Sequence, residues 1–257
     1  MDVKPIIKKF YKQHRYSKEL GVEVVEDLYA ACLKCAGDPV SRALVQKNKD
    51  NFNRFAGIIP WGLPREEIKA LVVSKVFDHN FQNNGEGTII HELTHAHDYY
   101  AMMSFFGIEN TSDFVQFPYY HAFLSFSEFH AKYVEYKFNR ENKNPTASMR
   151  DKIAYAINEK AIIAEELERM LRTIDEGIYL IFQFIGKYSA LYELFPSVIK
   201  PLNPKYLEKI LEPALANEVT NLFEIVYENR NFPHRMKCQM SIIDDWMKRF
   251  SELCNRV

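Results

Sequence analysis

The chain has 257 residues, a formal net charge of −1 and apolar residues at 47% of its positions. This length suits one large domain or two small ones, and the composition is that of an ordinary globular protein rather than a disordered one. No long block of lysine and arginine occurs in the sequence, which therefore gives no indication of a nucleic-acid surface.

Two features bear on the location of the protein. The first residues of the chain lack the apolar core of a secretory signal. The longest apolar run, residues 177–186, is interrupted by Gln183 and is too short to span a bilayer. We therefore expect a cytoplasmic protein with no membrane segment.

The N-terminal half is predicted to contain helices and a few strands. Residues 1–37 show helical spacing of apolar side chains before a Gly-Asp-Pro stop, and a second short helix is expected at 39–49. Residues 52–61 have the aromatic and β-branched content of a strand. The segment 64–81 fits a helix and a strand equally well.

The remainder of the chain is predicted to be helical. After a turn cluster at 83–87, a helix is expected from Thr88 to Phe106, followed by Gly107. Another helical segment begins near Ser112, restarts near Pro118 and continues to about residue 140. Further helices are expected at about 146–173, 175–194, 204–228 and 239–255. These patterns predict a predominantly helical α+β fold, with a domain at 1–143 that holds a small sheet and a helical region at 144–257.

Four cysteines fit a reducing compartment. Cys32 and Cys35 form a C-x-x-C pair, which is typical of a redox motif or of half a zinc site. The other two, Cys238 and Cys254, lie far away in a predicted helical region. We interpret the cysteines as reduced, buried or idle thiols, because cysteine packs readily as a small apolar residue.

The strongest motif lies at the centre of the predicted 88–106 helix. His91, Glu92 and His95 form His-Glu-x-x-His. Residues four apart share one face of a helix, so His91 and His95 can bind one metal ion, and Glu92 then stands beside the open coordination position as a general base. His97 points in a direction well away from the helix face that carries His91 and His95, which favours a role outside the ligand set.

This motif resembles that of the gluzincin branch of zinc metallopeptidases. The match lies at residues 87–100 and again at Ser127-Glu128-Phe129-His130-Ala131, where a glutamate is followed three residues later by a small residue. The resemblance implies that Glu128 is the third zinc ligand after His91 and His95, that Glu92 is the catalytic base, and that residues 1–143 form a zincin-like catalytic domain.

The sequence departs from the family pattern at one position. Many gluzincins carry a carboxylate four residues after the ligand glutamate to orient the first histidine, and this chain has Lys132 there. Asp98 and Glu135 are candidates for that orienting role. A side chain that stabilises the transition-state oxyanion is also expected. The candidates for it are Tyr119, Tyr120, His121 and His234.

These observations predict a Zn²⁺-dependent peptidase that acts on a peptide or protein substrate in the cytoplasm. Two alternatives stay open. The chain could be a non-catalytic zinc-binding interaction or regulatory module on a zincin scaffold, although the intact Glu92 argues against this. It could also hydrolyse a non-peptide amide, which would use the same residues. No feature of the sequence specifies the substrate or the oligomeric state.

Overall fold

The computed structural model describes residues 2–14, 16–77, 82–143, 148–171, 177–230 and 236–255 of the chain. Most of these residues are helical, and they include one three-stranded sheet. The predominantly helical α+β class is therefore confirmed. The chain divides into two compact units, Met1–Tyr120 and His121–Val257.

The sheet belongs to the first unit and has the strand order β1-β3-β2. Strand β1 (Gly21–Val25) runs parallel to the central strand β3 (Lys69–Val73), with Val22 paired to Ala70 and Val24 to Val72. Strand β2 (Gly57–Ile58) pairs antiparallel to β3 on its other edge. Four of the five residues of β3 are buried, as expected for the middle strand of a covered sheet.

The prediction of continuous helix over residues 1–37 is wrong in its middle part. Helix α1 (Lys4–Gln13) is followed by β1, and helix α2 (Leu28–Cys35) begins only after Asp27. The valines of β1 favour an extended backbone when a partner strand is available, and β3 supplies that partner. Asp27 then starts α2 by accepting a hydrogen bond from the Ala30 amide at 3.1 Å.

The predictions for residues 39–81 have mixed outcomes. Helix α3 (Pro39–Lys47) confirms the second helix and is capped by Asp38, which accepts from the Ser41 amide at 2.9 Å. The strand predicted at 52–61 is reduced to the two residues of β2, because a 3-10 helix occupies Lys49–Arg54. In the ambiguous segment, the strand interpretation is correct for β3, but 3-10 helices occupy Arg65–Glu67 and Ser74–Phe77, and residues 78–81 lie outside the described residues.

The long helix of the first unit is α4 (Gln82–Phe106), which packs on β3 and on α1. It begins earlier than predicted, since the expected turn at 83–87 is part of the helix. It ends where predicted: Gly107 has a φ of +68°, and the Ile108 amide donates to the Met103 carbonyl at 2.8 Å, as in a glycine-terminated helix.

Beyond α4, most of the residues that the structure describes are helical, as predicted. The helices are α5 (Thr111–Phe114), α6 (Tyr120–Lys143), α7 (Met149–Leu171), α8 (Gly177–Leu194), α9 (Pro204–Leu207), α10 (Pro213–Glu228) and α11 (Met236–Cys254). The predicted helix at 204–228 is in fact two helices, because Pro213 has no amide hydrogen and begins a new helix instead of continuing the old one. Among the described residues, no helix combines the length and the apolar character needed to cross a membrane.

A charged cluster links three parts of the second unit. The Glu193 carboxylate accepts hydrogen bonds from Tyr133 at 2.6 Å, Lys137 at 2.5 Å and Arg230 at 2.9 Å. Burial raises the pKa of Glu193, but these three hydrogen bonds outweigh it and lower the pKa to about 2. The cluster therefore joins α6, the end of α8 and Arg230, which follows α10.

Candidate metal centre

Helix α4 presents two histidines towards one point. The Nε2 atoms of His91 and His95 are 3.0 Å apart, and their rings are nearly perpendicular with centroids 4.6 Å apart. Two nitrogens bound to one tetrahedral zinc at the usual bond length would be separated by about 3.3 Å. His91 is buried and His95 is half-buried. The pair is therefore arranged to share a metal ion, as its spacing predicts.

Glu128 lies on α6 and is 4% exposed. Its Oε2 atom accepts a hydrogen bond from Nε2 of Gln183 on α8 at 2.9 Å. A buried carboxylate must be neutralised or hydrogen-bonded, and an amide donor meets part of that requirement. Gln183 was not among the predicted site residues, although it is the polar interruption of the longest apolar run.

The three predicted ligands come together. One donor atom each from His91, His95 and Glu128 lies within 4.8 Å of the other two, and this group could hold a metal ion. Two imidazole nitrogens and one carboxylate oxygen are the donor set of many catalytic zinc sites, in which a fourth position is left for water or substrate. The residues present therefore fit a metal with open coordination positions.

Glu92, the predicted base, is 7% exposed and lies directly against strand β2. A methyl group at Gly57 would be 2.4 Å from Cγ and 2.5 Å from Cδ of Glu92. It would also be 2.8 Å from the carbonyl oxygen of Leu71, which belongs to the neighbouring strand. An alanine here would force the Glu92 side chain or β2 to move, so β2 confines the Glu92 side chain. The sequence shows no periodic signal that could have identified Gly57.

The two candidates for the orienting role have different surroundings. Asp98 on α4 is 1% exposed, and its charge contributes, after burial, to raising the pKa of Tyr16. Glu135 forms an ion pair of 2.8 Å with Lys132, the residue that departs from the family pattern. The orienting role of Asp98 and of Glu135 stays a prediction.

The oxyanion candidates are also distinguished by their environment. The Tyr120 hydroxyl lies 3.1 Å from the Tyr99 hydroxyl, and burial raises the pKa of Tyr120, which keeps its phenol able to donate a hydrogen bond. His121 is exposed, and Tyr119 is half-buried. His234 lies outside the described residues. The role itself stays a prediction for each of these residues.

His97 packs into an aromatic cluster beside α1 and is not a member of the group that could hold a metal. Its ring stacks on Tyr16 with centroids 3.7 Å apart, and its Nε2 atom lies 2.8 Å from the Tyr11 hydroxyl. Phe10 is the third aromatic neighbour, with centroids 6.0 Å from His97. These contacts attach α1 to α4, so His97 has the packing role that its direction on the helix indicates.

The C-x-x-C cysteines are free thiols on α2. Burial raises the pKa of Cys32 to about 12 and also raises that of Cys35. Thiolates are the reactive and metal-binding form of cysteine, so neither thiol has the lowered pKa of a redox motif. Within the described parts of the chain, the residues able to hold a metal are His91, His95 and Glu128.

No protein-family model, curated protein or solved structure matches this chain. The function is therefore inferred from the residues and their geometry.

Proposed function

We propose that the protein is a zinc-dependent metallopeptidase that hydrolyses peptide bonds in a peptide or protein substrate. The observation that carries the proposal is the group formed by His91, His95 and Glu128, whose donor atoms lie within 4.8 Å of one another. Zinc is the proposed metal because two neutral imidazoles and one carboxylate are a typical catalytic zinc donor set.

Each residue has a distinct task in this proposal. A bound zinc ion would polarise the peptide carbonyl and acidify a coordinated water towards neutral pH. Glu92 accepts the proton of the attacking water through its carboxylate and then donates it to the leaving amine, so it ends the cycle ionised, as it began. Its burial against β2 limits the positions its carboxylate can adopt.

The proposal also includes the family that the motif predicts and the location that the rest of the sequence predicts. The ligand set follows the gluzincin order, with two histidines on one helix and a glutamate on a later helix, here α4 and α6. We accordingly propose a zincin-like catalytic domain within residues 1–143 that works in the cytoplasm. The family is supported by the motif at 87–100 and by the Glu128 segment, and the location by the lack of a secretory signal in the first residues.

The test compares the wild type with Glu92→Gln, which keeps the side-chain shape and removes the base. Elemental analysis should find one zinc per chain in both proteins. The wild type should cleave a mixed peptide library at least about a hundredfold faster than Glu92→Gln does. Glu224→Gln, at an exposed position of α10, is the matched control and should behave as wild type.

Two results would contradict the proposal. If the purified wild type holds no stoichiometric zinc, the proposed metal centre is wrong. A zinc-loaded wild type that leaves the library as intact as Glu92→Gln does would favour the non-catalytic interaction module instead. Glu128→Ala should lose most of the bound zinc, and full retention would show that the third ligand is a different residue.

A further inference from the structure

Gln183 donates to the proposed ligand Glu128 from a different helix. Its Nε2 atom lies 2.9 Å from Oε2 of Glu128. An ionised carboxylate only accepts hydrogen bonds, so the amide of Gln183 must present its NH₂ group to Glu128 rather than its oxygen. A carboxylate has two oxygens, and a hydrogen bond at one is compatible with a metal bond at the other.

A close helix crossing brings Gln183 to this position. At Gly186, three residues further along α8, an added methyl group would be 2.5 Å from the Phe129 carbonyl oxygen and 2.9 Å from Cβ of Lys132. It would also be 3.1 Å from the amide nitrogen of Tyr133. Two of these three atoms are backbone of α6 and cannot rotate away. Gly186 therefore sets the distance between α8 and α6 at the level of Glu128.

Gln183 and Gly186 lie on the same face of α8, because residues three apart on a helix are neighbours. Gln183 itself is half-buried, and Ile181, Phe182, Phe184 and Ile185, its neighbours in the sequence, are buried and apolar. A primary amide among such residues is costly unless it is hydrogen-bonded. The hydrogen bond to Glu128 satisfies the donor group of an amide that is partly withdrawn from water.

We propose, on the basis of the metal site of the proposed function, that Gln183 is a positioning residue for that metal. Its amide holds the Glu128 carboxylate in the orientation used for metal binding. Gly186 also contributes, since it lets α8 approach α6 closely enough for the Gln183 amide to reach the Glu128 carboxylate. Hydrogen-bond partners of metal ligands typically change metal affinity by about 10- to 100-fold when removed.

The first experiment measures Zn²⁺ affinity of the full chain by competition with a chromophoric chelator. Gln183→Met has nearly the same length as the native side chain but no donor, and it should bind Zn²⁺ about tenfold more weakly or worse. Ser189→Ala is the matched control, because Ser189 is also buried on α8 and its hydroxyl has no hydrogen-bond partner among the described residues. It should bind as wild type does.

A second readout separates positioning from a general loss of packing. In the Co²⁺-loaded protein, the visible absorption bands report the geometry around the metal. They should change in Gln183→Met and stay as in wild type in Ser189→Ala. Far-UV circular dichroism and thermal unfolding without metal show whether each variant is folded. Gln183→Asn, which keeps the amide on a shorter side chain, is the second variant and should also weaken Zn²⁺ binding.

A double-mutant cycle tests the link between Gly186 and Gln183. Gly186→Ala should weaken Zn²⁺ binding when Gln183 is present, because it separates α8 from α6. It should have little further effect on affinity in the Gln183→Met background, since the donor is already absent there. A merely structural role for Gly186 would instead give the same loss in both backgrounds, and that result would overturn its place in the proposal.

The outcomes distinguish this inference from the proposed function. If the wild type binds Zn²⁺ tightly and either folded Gln183 variant binds it equally tightly with an unchanged Co²⁺ spectrum, the positioning role is wrong and the metal site stands. If the wild type itself binds no Zn²⁺, the metal site fails, and the positioning role fails with it.

Discussion

Gly57 offers a way to disturb the proposed base without touching the metal ligands. The change is Gly57→Ala at the start of β2. The new methyl group would lie 2.4 Å from Cγ of Glu92, whereas non-bonded carbon atoms normally stay about 3.5–4.0 Å apart. Either the Glu92 side chain or β2 must therefore move by about 1 Å or more. The Leu71 carbonyl, 2.8 Å from the methyl group, limits the movement of β2 towards β3.

The size of the effect follows from this displacement. A misplacement of about 1 Å in a catalytic group can reduce the rate about a hundredfold, so peptide hydrolysis by Gly57→Ala should fall by that order. The crowding should also lower the free energy of unfolding by about 1–3 kcal/mol. Zinc content should remain that of the wild type, because the three atoms nearest to the methyl group belong to Glu92 and Leu71 and not to His91 or His95.

The assay has three readouts: zinc per chain, the rate of peptide hydrolysis and the free energy of unfolding in urea. Gly21→Ala is the control, since Gly21 likewise begins a strand, β1, but has no atom within 4 Å of an added methyl group. It should keep wild-type zinc content and activity. Its stability should be unchanged or slightly raised, because alanine reduces the freedom of the unfolded chain.

Full activity in a zinc-loaded Gly57→Ala protein would refute the reasoning, since it would mean that the position of Glu92 against β2 has no bearing on hydrolysis. Loss of zinc together with activity would also count against it. That result would show that the change acts on the fold of the metal centre rather than on the base.

Two further predictions concern groups outside the metal centre. Because the pKa of Glu193 is about 2 in the folded protein, below its ordinary value of 4.5, its ion pairs stabilise the fold above pH 4.5 and lose their effect as the pH falls towards 2. In urea titrations, the difference in unfolding free energy between wild type and Glu193→Gln should therefore shrink as the pH is lowered from 4.5 towards 2. A difference that stays constant would contradict the pairing of Glu193 with Lys137 and Arg230. Cys32, whose pKa burial raises to about 12, should react with iodoacetamide far more slowly at pH 8 than the exposed Cys254, as measured by peptide mass mapping. Unfolding in denaturant should remove the difference, and rapid labelling of native Cys32 would show that its thiol is not buried.

Much of the site could be predicted because its central part is local. His91 and His95 share a face of one helix whatever surrounds that helix, so a spacing of four residues lets their Nε2 atoms approach to 3.0 Å. The end of α4 at Phe106 is equally local, since Gly107 adopts the positive φ that terminates a helix. The prediction of Glu128 as a metal ligand depended on the family resemblance, because nothing in the sequence around Glu128 separates it from other glutamates on a helix.

The errors in the predicted fold have a common cause. Residues 21–25 carry valines that fit helix and strand patterns alike, and the pairing of β1 with β3 decided between them. Residues 52–61 look like a strand by composition, yet only Gly57–Ile58 pairs with β3. Whether a segment becomes a strand depends on a partner distant in sequence, and periodicity carries no information about that partner.

The sequence by itself determined that His91 and His95 lie on one face of a helix with Glu92 between them, since the period of one helix sets that arrangement. Only the tertiary structure decided which residues distant in the sequence contact the candidate site residues. Gln183 lies beside Glu128, and Gly57 lies against Glu92. The physical reason is that these contacts join elements through close packing. Close packing depends on the whole fold, whereas the spacing within a helix does not.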